Sequence, residues 1–294
     1  MKTLPHHNRY DYSPITERKD YSWPGGKRLA FCITTNIECF AFLKGRGHDN
    51  AKHGEPQTQR NYSWRDYGNR VGIWRFFDMF DELKLPAAHN TNSWLYQEAP
   101  QIFDAIRRRG DEIVAHGRTN AENLHDFRWE ADEANAIRDV TETFARNEGK
   151  APKGWMGAGT YENATTPDLL KEAGYKYVMD WPCDDQPVWM RTRSGPLLIV
   201  PYPAEINDSP GIVHRQHSAR EFCDMMVDQF EEMIVQCERE PLVCNISIHP
   251  YIFGQPFRLH PLRAAFKHFV THKLKDRSEE HTSELQSRET ISYA

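Results

Sequence analysis

An α/β fold with a parallel sheet, of the (β/α) barrel kind, is predicted by two observations. Apolar runs of strand length alternate with helical patterns along most of the chain. Three of those runs end in polar, proton-handling groups: Asn36-Ile37-Glu38-Cys39, His116-Gly117-Arg118-Thr119-Asn120 and Ser247-Ile248-His249-Pro250. The C-terminal ends of barrel strands form the rim on which barrel enzymes assemble their chemistry.

Strands are expected at residues 29–37, 86–92, 112–115, 175–179, 197–201 and 242–249. Between them, residues 71–83 place Val71, Trp74, Phe77, Phe80 and Leu83 on one face of a helix. Residues 100–109 form a helix that Gly110 stops, and residues 129–147 are charged and amphipathic. Thr166-Pro167 opens a short helix that Gly174 closes, proline first and glycine last. Ser218-Ala219-Arg220-Glu221 reads as a capping box before a helix running through Cys237. No repeat or linker divides the chain. The organisation is therefore an extended N-terminal arm (1–28) and one barrel domain (29–276), with the arm and residues 45–64 expected as loops over the rim.

Composition narrows the function class. The chain is 39% hydrophobic and 27% charged, ordinary for a globular protein, and its net charge of −5 carries no footprint for nucleic acid. No stretch has the length of a membrane span or the apolar core of a signal peptide, so a cytoplasmic location without a membrane partner is expected. Six cysteines occur without a CxxC pair, which implies no disulfide framework; Cys32 and Cys244 sit in apolar runs as small hydrophobes. Residues 277–294, RSEEHTSELQSRETISYA, change character abruptly. RSEEHTSELQS reads as a frame translation of a short-read sequencing adapter, ISYA as its continuation, and Arg288-Glu289-Thr290 as the variable index between them. This segment is expected to be a non-native tail on a barrel truncated near Asp276.

Several residues carry candidate chemistry. Glu38 follows an uncharged strand, where a carboxylate is either desolvated and useful as a general base or acid, or held in a structural ion pair. Cys39 is a soft metal ligand, a nucleophile or inert packing. His116 and Asn120 stand four residues apart, a spacing that puts two metal ligands on one face of a helical turn. Asn is a poor zinc ligand, however, and substrate hydrogen bonding suits Asn120 better. His249 ends a strand as a structural residue or a proton donor. Asp184 and Asp185 are a loop cap or a substrate-positioning pair, and Asn207-Asp208 before Ser209-Pro210 is most simply turn chemistry.

Taken in order, these residues resemble the polysaccharide deacetylase (NodB-homology) superfamily, in its allantoinase-like branch, over residues 20 to 276. The segments Tyr67-Gly68-Asn69-Arg70-Val71-Gly72-Ile73-Trp74-Arg75, Asp184-Asp185-Gln186-Pro187 and His249-Pro250-Tyr251-Ile252-Phe253-Gly254 strengthen the resemblance. It implies a distorted (β/α) barrel and hydrolysis of a non-peptide carbon–nitrogen bond. In the metal-dependent deacetylases a strand ends in paired Asp, the first the general base and the second a metal ligand; here Glu38 and Cys39 stand in those places. The metal-binding His-x-x-x-His becomes His116 and Asn120, and the arginine that fixes the base is absent from Trp155-Met156-Gly157-Ala158-Gly159. His249 matches the usual general acid.

The expectation is a hydrolase that opens a small cyclic amide or ureide, allantoin-, hydantoin- or imide-like, with Glu38 as base and His249 as acid. Asn120, Trp155, Trp181, Asp184 and Asp185 would bind the substrate. No cofactor is required on this reading; the alternative is a weakly bound divalent metal such as zinc on His116 and Cys39, in an N-deacetylase of an acetylated amino sugar. A further alternative is a non-catalytic barrel used as a binding module. The expected partner is a small molecule, in a homo-oligomer that the branch resemblance suggests.

Overall fold

The structure, a computed structural model, describes residues 4–43, 58–273 and 278–279. The strands are β1 (Leu29–Ile37), β2 (Ala88–Thr91), β3 (Glu112–Ala115), β4 (Gly154–Trp155), β5 (Tyr177–Val178), β6 (Val188–Met190), β7 (Leu197–Ile199), β8 (Leu242–Ile248) and β9 (Ser278–Glu279). They form one curled sheet in the order β6-β7-β5-β4-β3-β2-β1-β8, with β9 alongside the start of β1. All pairings are parallel except β6 with β7. The gap between β6 and β8 is bridged rather than zipped: Val243 N donates to Asp185 O and Ser247 N to Ile206 O. This is the distorted barrel of the expectation. All but two of the tail residues expected to be non-native lie outside the described residues; those two, Ser278 and Glu279, pair with Leu29 and Ala30.

The helices are α1 (Gln59–Tyr67), α2 (Ile73–Leu83), α3 (Leu95–Glu98), α4 (Pro100–Arg109), α5 (Glu130–Glu148), α6 (Thr166–Glu172), α7 (Ala219–Gln236), α8 (Pro250–Phe253) and α9 (Pro256–Thr271). The Ser218–Glu221 capping box is formed in both directions, and Gly110 ends α4 in the left-handed conformation at φ 75°. Of the expected face of residues 71–83, Phe77 and Phe80 are buried and Trp74 and Leu83 pack partly buried against the core, whereas Val71 falls in a π-helical turn, Gly68–Gly72, and Ile73, Phe76 and Met79 widen the buried face. Residues 45–57 lie outside the described residues, but 59–64 are helical, not loop, with Thr58 capping α1 through Asn61 N at 3.1 Å.

Three layers make up the interior. Phe31, Ile33, Phe76, Phe80, Phe230 and Phe266 belong to the large core between sheet and helices. Inside the barrel, Val114, Met156, Tyr177, Leu198, Val200 and Tyr202 pack together. At the N-terminal end of the strands Trp23 packs on Ala30, Cys32 and Val243 and donates its indole N–H to Leu242 O at 3.1 Å. The end of the arm therefore closes the barrel's base, while His7 and Tyr10 pack on Trp181, three residues past the C-terminal end of β5. A buried polar layer separates base from rim: Asn36 donates to Ser247 Oγ at 2.9 Å and accepts from Asn90 at 2.8 Å, while Tyr202 and Ser247 bond at 2.6 Å. Most of these buried polar groups satisfy one another, although Asn90 Oδ1 has no hydrogen-bond partner.

Two glycines seat the rim. A Cβ on Gly72 would stand 2.0 Å from Pro250 O, and one on Gly254 2.3 Å from Gly72 Cα. The π-turn and α8 touch backbone to backbone, directly behind His249. Gly72→Ala is expected to cost about 1–3 kcal/mol of stability, and to lower turnover further by displacing Pro250 and with it His249; thermal unfolding and initial rates check this.

Candidate active site

β1, β2, β3 and β8 deliver their last residues to one rim position. Glu38 is 8% exposed, His249 5% and His116 1%, so the cluster is almost entirely removed from water. Glu38 Oε1 lies 3.5 Å from His249 Nε2 and 3.6 Å from His116 Nε2. The two groups expected to share the chemistry, 211 residues apart, are thus side by side.

Each is fixed from behind. Asn120 Nδ2 donates to Glu38 Oε1, and its Oδ1 accepts from Asn92 Nδ2 at 3.0 Å. Asn92 Oδ1 also accepts from Cys39 N at 2.8 Å, and Asn69 Nδ2 donates to Glu38 O at 2.8 Å. Asn120 therefore spends both ends of its amide on orienting the carboxylate, which displaces the substrate-binding role expected for it. His116 Nδ1 bonds Met156 O at 2.6 Å, so its Nδ1 carries hydrogen and its buried Nε2, without a hydrogen-bond partner, faces Glu38.

His249 is held by a group that the sequence reading assigned to a turn. Asp208, fully buried, accepts from His249 N at 2.8 Å through Oδ2 and bonds Nδ1 at 2.6 Å through Oδ1. The Asx turn exists as well, with Ser209 N donating to Asn207 Oδ1 at 3.1 Å, but it belongs to Asn207. Arg65, one residue past the segment 45–64 read as loop, was also missed. It is 5% exposed, its Nη1 lies 3.9 Å from Glu38 Oε2, and its guanidinium sits 3.9 Å from the Phe40 ring centroid. Glu38 Oε2 itself has no hydrogen-bond partner.

The electrostatics follow from this packing. Burial drives the Glu38 carboxyl up, but the His249 charge first, and then the nearby His116, outweigh it and hold the group well below the ordinary range. Burial lowers His249, yet Asp208 and Glu38 outweigh it and raise the imidazole to about 10. At neutral pH the resting pair is a carboxylate facing an imidazolium.

The other expected site residues lie elsewhere. Asp184 is clamped by Arg18 at 2.5 Å, and Asp185 O accepts from Val243 N near the start of β8, roughly 20 Å along that strand from His249. They are base residues. Trp155 is fully buried in the outer core against Tyr175, so it walls no open pocket. Trp181 is half-buried beneath Tyr10 and His7 of the arm and donates to Glu162 Oε2 at 2.7 Å. Next to it, burial first and then the Glu133 charge raise the Glu162 carboxyl to about 7, against the hydrogen bonds of Trp181 and Asp180; Asp180, raised mainly by burial, also accepts from Gly157 N at 2.8 Å.

A zinc at the rim would need three ligands. His116 supplies one imidazole nitrogen. Cys39 Sγ points to Arg118 O at 3.9 Å, and burial pushes its thiol far up, against the thiolate a metal requires. Asn120 is committed to Glu38 and Asn92. This donor set does not fit the metal that deacetylases of the resembled superfamily carry.

No protein-family model matches the chain. A Schizosaccharomyces pombe protein bearing the name polysaccharide deacetylase is 23% identical over 283 residues, covering 85% of this chain and 87% of that one. Among solved structures, Puue allantoinase superposes with a TM-score of 0.76 at 23% identity, covering 92% of this chain and 95% of its own. A Pseudomonas aeruginosa PAO1 structure named for polysaccharide deacetylase gives 0.75 at 24% identity, covering 89% and 90%. Its Mycobacterium smegmatis counterpart gives 0.72 at 19% identity, covering 92% and 93%. The relative in sequence and two of the neighbours in structure bear the name polysaccharide deacetylase, and this chain has the fold that those structures share with Puue allantoinase.

Proposed function

We propose that the protein hydrolyses a non-peptide carbon–nitrogen bond, opening a small cyclic amide or ureide without a required metal. The observation that carries this reading is the Glu38–His249 pair, 3.5 Å apart and buried together, each backed by its own positioning groups. A ring does not fit between atoms that close, so the substrate sits across the open side of the pair. Its arrival separates the two charges, which draws both groups toward neutral pH, where general acid–base catalysis is effective.

Glu38 Oε1 takes a proton from water as the water oxygen bonds to the ring carbonyl carbon. The carbonyl electron pair moves to oxygen, where the Arg65 guanidinium stabilises the charge. As the tetrahedral centre collapses, the C–N bond breaks and His249 Nε2 gives its proton to the departing nitrogen. A proton then passes from Glu38 back to His249, restoring the starting state. Asp208 keeps the His249 ring aligned and its imidazolium stable throughout.

A turnover screen of cyclic ureides and imides against N-acetylated amino sugars, each with and without chelator, tests the reading. Ring opening that persists in chelator is expected. Chelator-sensitive deacetylation would replace it with the metal-dependent alternative, and binding without turnover on either panel would leave a binding module. Arg65→Met is expected to lower kcat on the ring substrate about 10²–10³-fold, the range for removing one oxyanion donor, with KM changed far less; steady-state kinetics separate the two.

A further inference from the structure

Away from the rim, a second set of ligating side chains meets where α7 and α9 pack together on the outside of β1. We infer that Glu231, His268 and His272 form a binding site for one divalent transition-metal ion, which clamps α9 to α7. This does not depend on the ring-opening reading.

Geometry comes first. His268 Nε2 is 2.6 Å and His272 Nε2 3.3 Å from the same Glu231 Oε1, and the two imidazole centroids are 5.6 Å apart. The three ligand atoms lie within 4.8 Å of one another. Ligands at about 2.0–2.1 Å around a tetrahedral ion are separated by roughly 3.3 Å. The His272 distance already matches, and the half-buried His268 and Glu231 need a small rotamer shift to open theirs.

The backbone beneath is rigid. Glu231 follows Phe230 and His268 precedes Phe269, and those two rings pack at 4.9 Å in the core; His272 lies edge-on to Phe230 at 5.4 Å. Core anchors immediately beside each ligand set their spacing before any ion arrives. His268 and His272 are one turn apart at the end of α9, and Glu231 comes from the facing helix.

The donor set names the class of ion. Two neutral imidazoles and one carboxylate suit zinc, nickel or copper, whereas calcium and magnesium demand oxygen ligands. Three protein ligands leave a further position for solvent. The bridge joins two helices that are distant in sequence, so its effect is on folding stability, by mass action on the folded form.

The test is titration of the chelator-stripped 294-residue protein with Zn²⁺, followed by calorimetry and thermal unfolding. One strong site is expected, with the unfolding midpoint raised by about 5 °C at saturating Zn²⁺. His268→Ala and His272→Ala should each weaken that site by about tenfold or more and abolish the thermal shift, while His116→Ala keeps both. If the histidine variants fail to fold, Glu231→Gln supplies the same comparison. Unchanged Zn²⁺ affinity in the His268→Ala/His272→Ala double variant, loss of the site in His116→Ala, or binding without a thermal shift would each overturn the inference.

Discussion

Glu38→Gln yields a folded protein whose turnover is lower by about 10²–10⁴-fold, the usual worth of a general base. Glutamine keeps the shape and the hydrogen bond from Asn120, but cannot accept the water proton. The fold should survive, because the substitution removes a carboxylate that is 8% exposed and leaves an amide able to bond His116 or His249. Far-UV circular dichroism checks the fold, and single-turnover rates on the ring opened in the screen check the chemistry. A variant retaining more than a tenth of wild-type turnover would remove Glu38 from the mechanism.

Asp208→Asn should act through the pH profile. In the wild type His249 titrates at about 10, against an ordinary value of 6.5, because Asp208 and Glu38 outweigh the cost of burial. The acid required for nitrogen protonation is therefore charged through neutral pH and lost only as pH rises through that raised value. Neutralising Asp208 removes the largest favourable contribution, so the alkaline limb of kcat/KM moves to lower pH and kcat falls by about 10²–10⁴-fold. Stability follows the same sign. A raised imidazole contributes stability fully below pH 6.5 that fades as pH climbs toward 10, and the variant should lose that dependence. A variant with reduced kcat but an unmoved alkaline limb would show that Asp208 only supports the fold.

Legibility in the sequence tracked how local each signal was. β1 was readable end to end because its nine consecutive residues are all buried and none is charged. β4 and β6 were not: two and three residues carry no period, and β6 is an antiparallel edge strand that the alternation of strand and helix does not foresee. α9 was not among the expected helices; its two prolines, Pro256 and Pro261, both fall in its first two turns. Glu38, His116 and His249 were legible because each ends a strand. Asp208 and Arg65 were not, because their roles exist only across distance: Asp208 meets a histidine 41 residues on, and Arg65 projects from a helix onto a strand end. Asp184 and Asp185 misled for the opposite reason. Their cluster looked like a recognition pair, while in the fold Arg18 of the arm clamps Asp184 and Asp185 O bonds Val243 N at the start of β8.

The indole stopper at the foot of the strands has a bearing on traffic. With Trp23 wedged against Ala30, Cys32 and Val243, that end of the strands is shut among the described residues, so on the proposed ring-opening reading incoming ring, attacking solvent and open-chain product would share the opposite end. On that reading, product left there competes with the next substrate for the same vestibule.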